Sequence, residues 1–310
     1  MKILNLIMAC AIALPVAYSC GGGDSENEPQ PKPEQPAPTP DPDPEPDPVP
    51  DPDPDPEQPA VQYKFGEIIF EDDFNQASRI PDQSKWELCA KSTPAWTRHL
   101  SNSYDQAFVE NGNLVLTAEK KDGTYLCGGV RMLDDHAVKY GKIQVRARFT
   151  KTGRGCWPAI WMMPSEPIWS GWPQCGEIDI MEHLNNETVT WSVVHSHWVD
   201  NLGGYYNPVY SATTSVDPQV YNTYTLEWTP EYMKFYVNEK LALDYGNLHM
   251  ENEEQCKQWP FDAPFYLILN HALGNAPGQT GAWPGDILDA ELPAKFEIDW
   301  VKVAELIIEE

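Results

Sequence analysis

From Gly66 onward the chain is a series of short runs in which apolar and polar residues alternate. They read "GEIIFEDDF", "NLVLTAE", "GKIQVRARF", "TVTWSVVHSHW", "YTLEWT", "MKFYVN", "PFYLILNHAL" and "KFEIDWVKVAE". A two-residue period with turn residues between the runs predicts β-strands with one face on a core and one face on solvent. "YTLEWTPEYMKFYVNEKLALDY" predicts a hairpin whose turn is "TPEY". No stretch longer than about ten residues carries a helical stripe. Many antiparallel strands at this length predict an all-β fold, a jelly-roll sandwich of two sheets. No internal repeat is present.

One run breaks the alternation. In "CGEIDIMEH" (175–183), three carboxylates, Glu177, Asp179 and Glu182, sit among isoleucines and a methionine. On a regular strand Glu177 and Asp179 share a face, Ile178 and Ile180 share the other, and Glu182 falls on the apolar side. Burying that charge costs several kcal/mol. One extra residue, a β-bulge around Ile180 and Met181, returns Glu182 to the face of Glu177 and Asp179. The two glutamates are then about four strand steps apart, about 13 Å between Cα atoms. With both side chains leaning inward, their carboxyl groups approach to about 5 Å, the spacing of a retaining glycosidase pair. Asp179 lies between them, placed to hydrogen-bond one and tune both.

At this point the sequence resembles glycoside hydrolase family 16. "GEIDIME" resembles the family's ExDxxE motif in its bulged form, as in laminarinase-like and galactanase-like members. "GRGCWPAIWMMP", "GWPQCGEIDIMEH", "YNTYTLEWTPEYMKFYVN" and "PFYLILNHALG" resemble family blocks in the same order, so that the likeness runs from about Gly66 to Ala304. The resemblance implies a concave glycan-binding cleft, an endo-acting retaining mechanism, Glu177 as nucleophile, Asp179 as its assistant and Glu182 as acid/base. It also implies that Trp157, Trp161, Trp172, Arg131, His195 and Asn270 bind substrate. Trp96 and Arg98 are expected to face the glycone side. Flat aromatics suit the C–H faces of sugars, although a tryptophan in a sandwich is more often core, and Arg131 or Asn270 can equally well satisfy a backbone carbonyl.

His195 and His197, read as one strand face with Val193, also raise a metalloenzyme with Asp179 and Glu182. The family resemblance instead places a histidine beside the acid/base, so no catalytic metal or other cofactor is expected. The acids around Glu71, Asp72 and Asp299 resemble the convex-face structural calcium site of some members. Two segments depart from the family pattern, "WELCAKSTPAWTRHLSNSYDQAF" and "HALGNAPGQTGAWPGD". They are expected to set specificity among β-1,3-glucan, mixed-linkage β-glucan, β-galactan and mucin-type O-glycans. A silent glycan-binding jelly roll and a transglycosylase are the rival readings; the first has no use for three acids, and the second shares the covalent intermediate.

The chain opens "MKILNLIMACAIALPVAYSC", one lysine, an apolar run and small residues, the layout of an export signal over residues 1–19. "AYSC" resembles a lipobox with Cys20 as the lipidated residue, and "GGGDSENE" resembles the export tag of surface lipoproteins. Residues 20–60 read as the lipidated cysteine and a stiff Pro/Asp-rich spacer, and 61–310 as the catalytic domain. Twelve acidic residues against Lys32 alone give the spacer eleven of the 26 net negative charges, so the globular part is only moderately acidic. Without a basic stripe, no nucleic-acid partner is expected. The expected partners are a glycan and, through the lipid, the outer membrane, with the protein a monomer exposed at the cell surface. Cys89, Cys127, Cys156, Cys175 and Cys256 form no CxxC pair, and bridges and buried thiols both remain open.

Overall fold

The computed structural model describes residues 61–251 and 257–309, which fall in one unit, Glu57–Glu310. The export signal, Cys20, the spacer and Cys256 lie outside the described residues. Sixteen strands follow one another: β1 (Gln62–Asp72), β2 (Trp86–Leu88), β3 (Ala107–Glu110), β4 (Asn113–Lys121), β5 (Thr124–Cys127), β6 (Gly129–Met132), β7 (Gly141–Lys151) and β8 (Cys156–Pro164). They continue as β9 (Glu177–Glu182), β10 (Val189–His195), β11 (Ser211–Ser215), β12 (Asn222–Trp228), β13 (Tyr232–Val237), β14 (Lys240–Gly246), β15 (Phe265–Leu273) and β16 (Ala294–Glu309).

Two antiparallel sheets result. One runs β14-β13-β12-β7-β16-β4-β3, with β1 on β16 and β5 on β4; the other runs β11-β10-β9-β8-β15-β6-β2. The alternation that predicted the strands also builds the core. Along β7, Ile143, Val145, Ala147 and Phe149 are buried while Lys142, Gln144, Arg146 and Arg148 face outward. Against them pack Ile160, Met162, Ile178, Val194, Leu267 and Leu269 of the other sheet. Each fully buried large side chain of this kind contributes about 1.5–3 kcal/mol. The expected hairpin is β12–β13, where Thr229 Oγ1 accepts from the backbone N–H of Glu231 and Tyr232. The next turn, Asn238–Glu239, has φ of 48° and 66° at its two residues, the primed geometry that matches strand twist.

The strand reading fails just beyond β10. Ser196 caps a short helix, α1 (His197–Asp200), by accepting from Val199 N, so His197 does not share a strand face with His195. His197 pairs instead with Asn201. Cys89, Cys127, Cys156 and Cys175 are buried free thiols, and burial pushes Cys89 and Cys156 up to about 12. The acids that resemble a calcium site are placed as follows. Asp72 accepts from Trp86 Nε1 and Phe74 N, Asp299 pairs with Arg146, and Glu71 is exposed.

Candidate active site

The seven-stranded sheet carries β9 near its middle, and the register of β9 slips. On β8, Ile160 pairs with Met181 but the next residue, Trp161, pairs with Asp179, which leaves Ile180 unmatched. On β10 the two steps from Trp191 to Val193 span three on β9, from Glu182 to Asp179. Ile180 and Met181 are consecutive and both enter the core. This is the bulge that the parity of Glu182 requires. Its freed carbonyl is not left bare: Ser192 Oγ donates to Ile180 O at 3.0 Å.

Glu177 and Glu182 therefore line one cleft of about 1280 Å³. Each accepts one indole N–H at 2.8 Å, Glu177 Oε2 from Trp172 and Glu182 Oε1 from Trp157. Their surroundings otherwise differ. Glu177 is half-buried and shares a neighbourhood with Asp179 and His195, one polar atom of each lying within 4.8 Å of the others. Glu182 is 6 % exposed. Trp191 pairs with it across the strands, and Trp283 sets its ring 6.0 Å from Trp157 and 5.7 Å from Trp191.

Burial raises both acids, and they differ in what opposes it. Burial pushes Glu182 up to about 7, helped by the charge of Glu177 and opposed by the Trp157 N–H and by His195. Burial also raises Glu177, but His195, Trp172 and Asp179 all pull it back. Asp179, 2 % exposed, is held well above the usual carboxylate range by burial and by the carboxylates of Glu177, Glu182 and Asp200. That environment favours the protonated form of Asp179, whose side chain hydrogen-bonds Glu177 and lowers it. Burial pulls His195 down, but the bond to Asp200 and the three nearby carboxylates outweigh it and its net shift is upward.

Of the other expected residues, Trp96, Trp157, Trp161, Trp172, Arg131 and His195 all line the cleft. Trp172 is 55 % exposed and free to meet a ligand, whereas Trp161 is buried, its edge against Trp96 at 4.9 Å. The guanidinium of Arg131 is engaged by Glu87 and Asp134 and lies over Tyr266. Asn270 does not line the cleft. It is 2 % exposed, and its Oδ1 accepts from Trp161 Nε1 at 2.6 Å, so that it orients a cleft residue from within the protein. Arg98 also turns away, donating to Thr280 O.

Sequence reasoning missed Trp191, Trp283 and Asp200. Trp191 was within reach, because the alternation that puts Val193 and His195 on one face extends to it. Trp283 lies in the 271–286 segment that departs from the family pattern. That segment is fixed by tertiary bonds, with Asn275 Oδ1 accepting from Ala282 N and His99 meeting Gln279.

The chain is 40 % identical over 247 residues to a keratan-sulfate endo-1,4-β-galactosidase of Sphingobacterium multivorum, which covers 77 % of this chain and 55 % of that protein. It thus spans about half the length of that relative. A β-glucanase of Rhodothermus marinus is 33 % identical over 253 residues, 76 % of this chain and 84 % of its own length. Among solved structures, one from work on endo-acting O-glycanases of the human gut microbiota that initiate mucin breakdown superposes with a TM-score of 0.68 at 33 % identity, over 77 % of this chain and 99 % of that one. The family model for glycosyl hydrolases family 16 matches residues 96–302, and the chain belongs to that family.

Proposed function

We propose that the protein is an endo-acting, retaining β-glycoside hydrolase that cuts internal β-galactosyl linkages of a keratan-sulfate-like or mucin-type glycan. The observation that carries the reading is the bulged strand, which delivers two glutamates to one aromatic-lined cleft in unlike environments, Glu177 beside His195 and Asp179 and Glu182 against Trp157. The identity to a keratan-sulfate endo-1,4-β-galactosidase supports the galactosyl assignment over a glucan.

In the first step the Glu177 carboxylate attacks the anomeric carbon and forms a C–O ester bond. Glu182 gives its proton to the glycosidic oxygen, the old C–O bond breaks, and the aglycone leaves as an alcohol. Asp179 donates a hydrogen bond to Glu177 throughout, helping it to carry charge and then to leave. In the second step Glu182, now ionised, takes a proton from water, the water oxygen bonds to the anomeric carbon, and the ester bond to Glu177 breaks. Two inversions give net retention. We assign no step to a metal or cofactor.

The amino-terminal layout supports a further reading: residues 1–19 direct export, Cys20 carries lipid, and the spacer holds the monomeric catalytic domain, 61–310, off the outer membrane at the cell surface. Cys20→Ala is expected to release the protein from the membrane fraction, and retention there would end the anchoring reading. For the activity, purified protein is incubated with keratan sulfate, gastric mucin, laminarin and mixed-linkage β-glucan, with product sizing and NMR of the first-formed anomer. Oligosaccharides of β configuration from the first two are expected. Cleavage of the glucans alone would overturn the galactosyl assignment, and binding without cleavage of any would overturn the enzyme.

A further inference from the structure

Where β10 runs into α1, one carboxylate bridges a turn. Asp200 Oδ1 lies 2.9 Å from His195 Nδ1, and its Oδ2 accepts from the backbone N–H of Ser196 at 3.1 Å. The Ser196 hydroxyl has a separate task, its Oγ accepting from Val199 N as the helix cap. Asp200 is tethered by the backbone N–H of Ser196, a bond that does not depend on the Ser196 hydroxyl. The other ring nitrogen, Nε2, faces Asp179 Oδ2 at 3.5 Å, while Trp172 lies 5.6 Å from the ring. The titratable groups that face His195 are Glu177, Asp179 and Glu182 from β9 and Asp200 from α1.

We propose that Asp200 is a positioning residue that holds His195 with its proton on Nδ1 and its second nitrogen toward the carboxylates, and thereby sets the pH window of the site. The proposal rests on the glycosidase reading for its kinetic consequence, but not for its structural one. A carboxylate only accepts hydrogen bonds, so Asp200 demands an N–H at Nδ1. When His195 is also protonated at Nε2, its charge reaches both glutamates and holds each lower than burial alone would. Asp200 opposes that effect at Glu177, where its own charge raises the carboxyl, whereas at Glu182 the charged neighbours that act are Glu177 and His195. The acid/base is therefore the cleaner reporter.

The test is Asp200→Asn, with the imidazole followed by 15N NMR and the rate followed across pH. An amide keeps an acceptor for Ser196 N but can present its NH₂ to Nδ1, releasing the tautomer, and it removes the charge that favours imidazolium. The His195 titration is expected to move down. Glu182, losing part of a positive neighbour, then stays protonated to higher pH, so the alkaline limb of kcat/KM is expected to move up by about half a unit. A loss of about tenfold in kcat with KM within about twofold is expected to accompany it. Asp200→Glu, which keeps the acid, is expected to recover most of the His195 titration. Ser196→Ala removes the cap of the same helix without touching the imidazole and is expected to leave both profiles in place. An unchanged His195 titration in Asp200→Asn overturns the proposal, as does Ser196→Ala reproducing its shifts. Should the wild type cut no glycan, the NMR arm still decides the role of Asp200.

Discussion

The two ends of β9 present the same side chain to the same cleft, and the protein treats them differently. At one end Glu177 is half-buried beside the His195 imidazole and Asp179; at the other Glu182 is walled by Trp157, Trp191 and Trp283, with one N–H to stabilise its charge. Each receives an indole hydrogen bond of the same length, so that bond does not separate them. The separation comes from what surrounds it: polar, charge-bearing neighbours at Glu177 and aromatic burial at Glu182. Two glutamates five residues apart are thereby suited to attack and to proton transfer, respectively.

The largest effect is expected at the charge-stabilised end. Glu177→Gln removes the attacking oxygen while nearly preserving shape, and kcat is expected to fall by at least about 10⁴-fold with binding retained. Residual turnover within tenfold of wild type would erase the distinction between the ends. Glu182→Gln is expected to cost about 10²–10⁴-fold on natural glycan and far less in the first step with an activated aryl glycoside, where little acid help is needed. Azide is expected to restore that variant as the β-azide, and rescue of Glu177→Gln in that configuration would reverse the roles.

A smaller change sharpens the comparison without removing either acid. Trp157→Phe keeps a ring in the wall but takes away the N–H that lowers Glu182. The alkaline limb of the rate profile is expected to rise from near pH 7, with kcat reduced by about tenfold; a downward move would contradict the cause assigned to the shift. The same acid also leaves a mark on stability. Its folded-state pKa, about 7, exceeds its unfolded value near 4.5, so the folded protein binds more protons between those limits and loses stability as pH rises through them. Glu182→Gln is expected to remove that loss, stabilising the domain at pH 8 by roughly 1–3 kcal/mol and hardly at all at pH 4. Urea titrations at the two pH values read the difference.

What the sequence disclosed follows from how local each signal is. Alternation along β7 is a property of consecutive residues, and the misplaced parity of Glu182 forces a bulge within six of them, so both were legible. The support of the bulge by Ser192 and the inward role of Asn270 were not, because each depends on a partner on another strand: the carbonyl of Ile180, and the indole N–H of Trp161. His197 was misread for a related reason. "HSH" fits a strand until Ser196 is recognised as a helix cap, and the cap is declared only by its bond to Val199 N. Asp200, five residues beyond His195, was hidden by the same error, since a continuing strand would have carried it away from the ring.

The assignment of the two ends is tested most directly by trapping the covalent intermediate. Wild-type protein is incubated with an activated 2-deoxy-2-fluoro derivative of the glycan it cuts, which slows the breakdown of the ester, and is then digested with protease and examined by tandem mass spectrometry. The account predicts one added glycosyl mass, localised to Glu177 within the peptide that carries "GEIDIME". A label on Glu182 would contradict it, as would an unlabelled protein that releases product of inverted configuration.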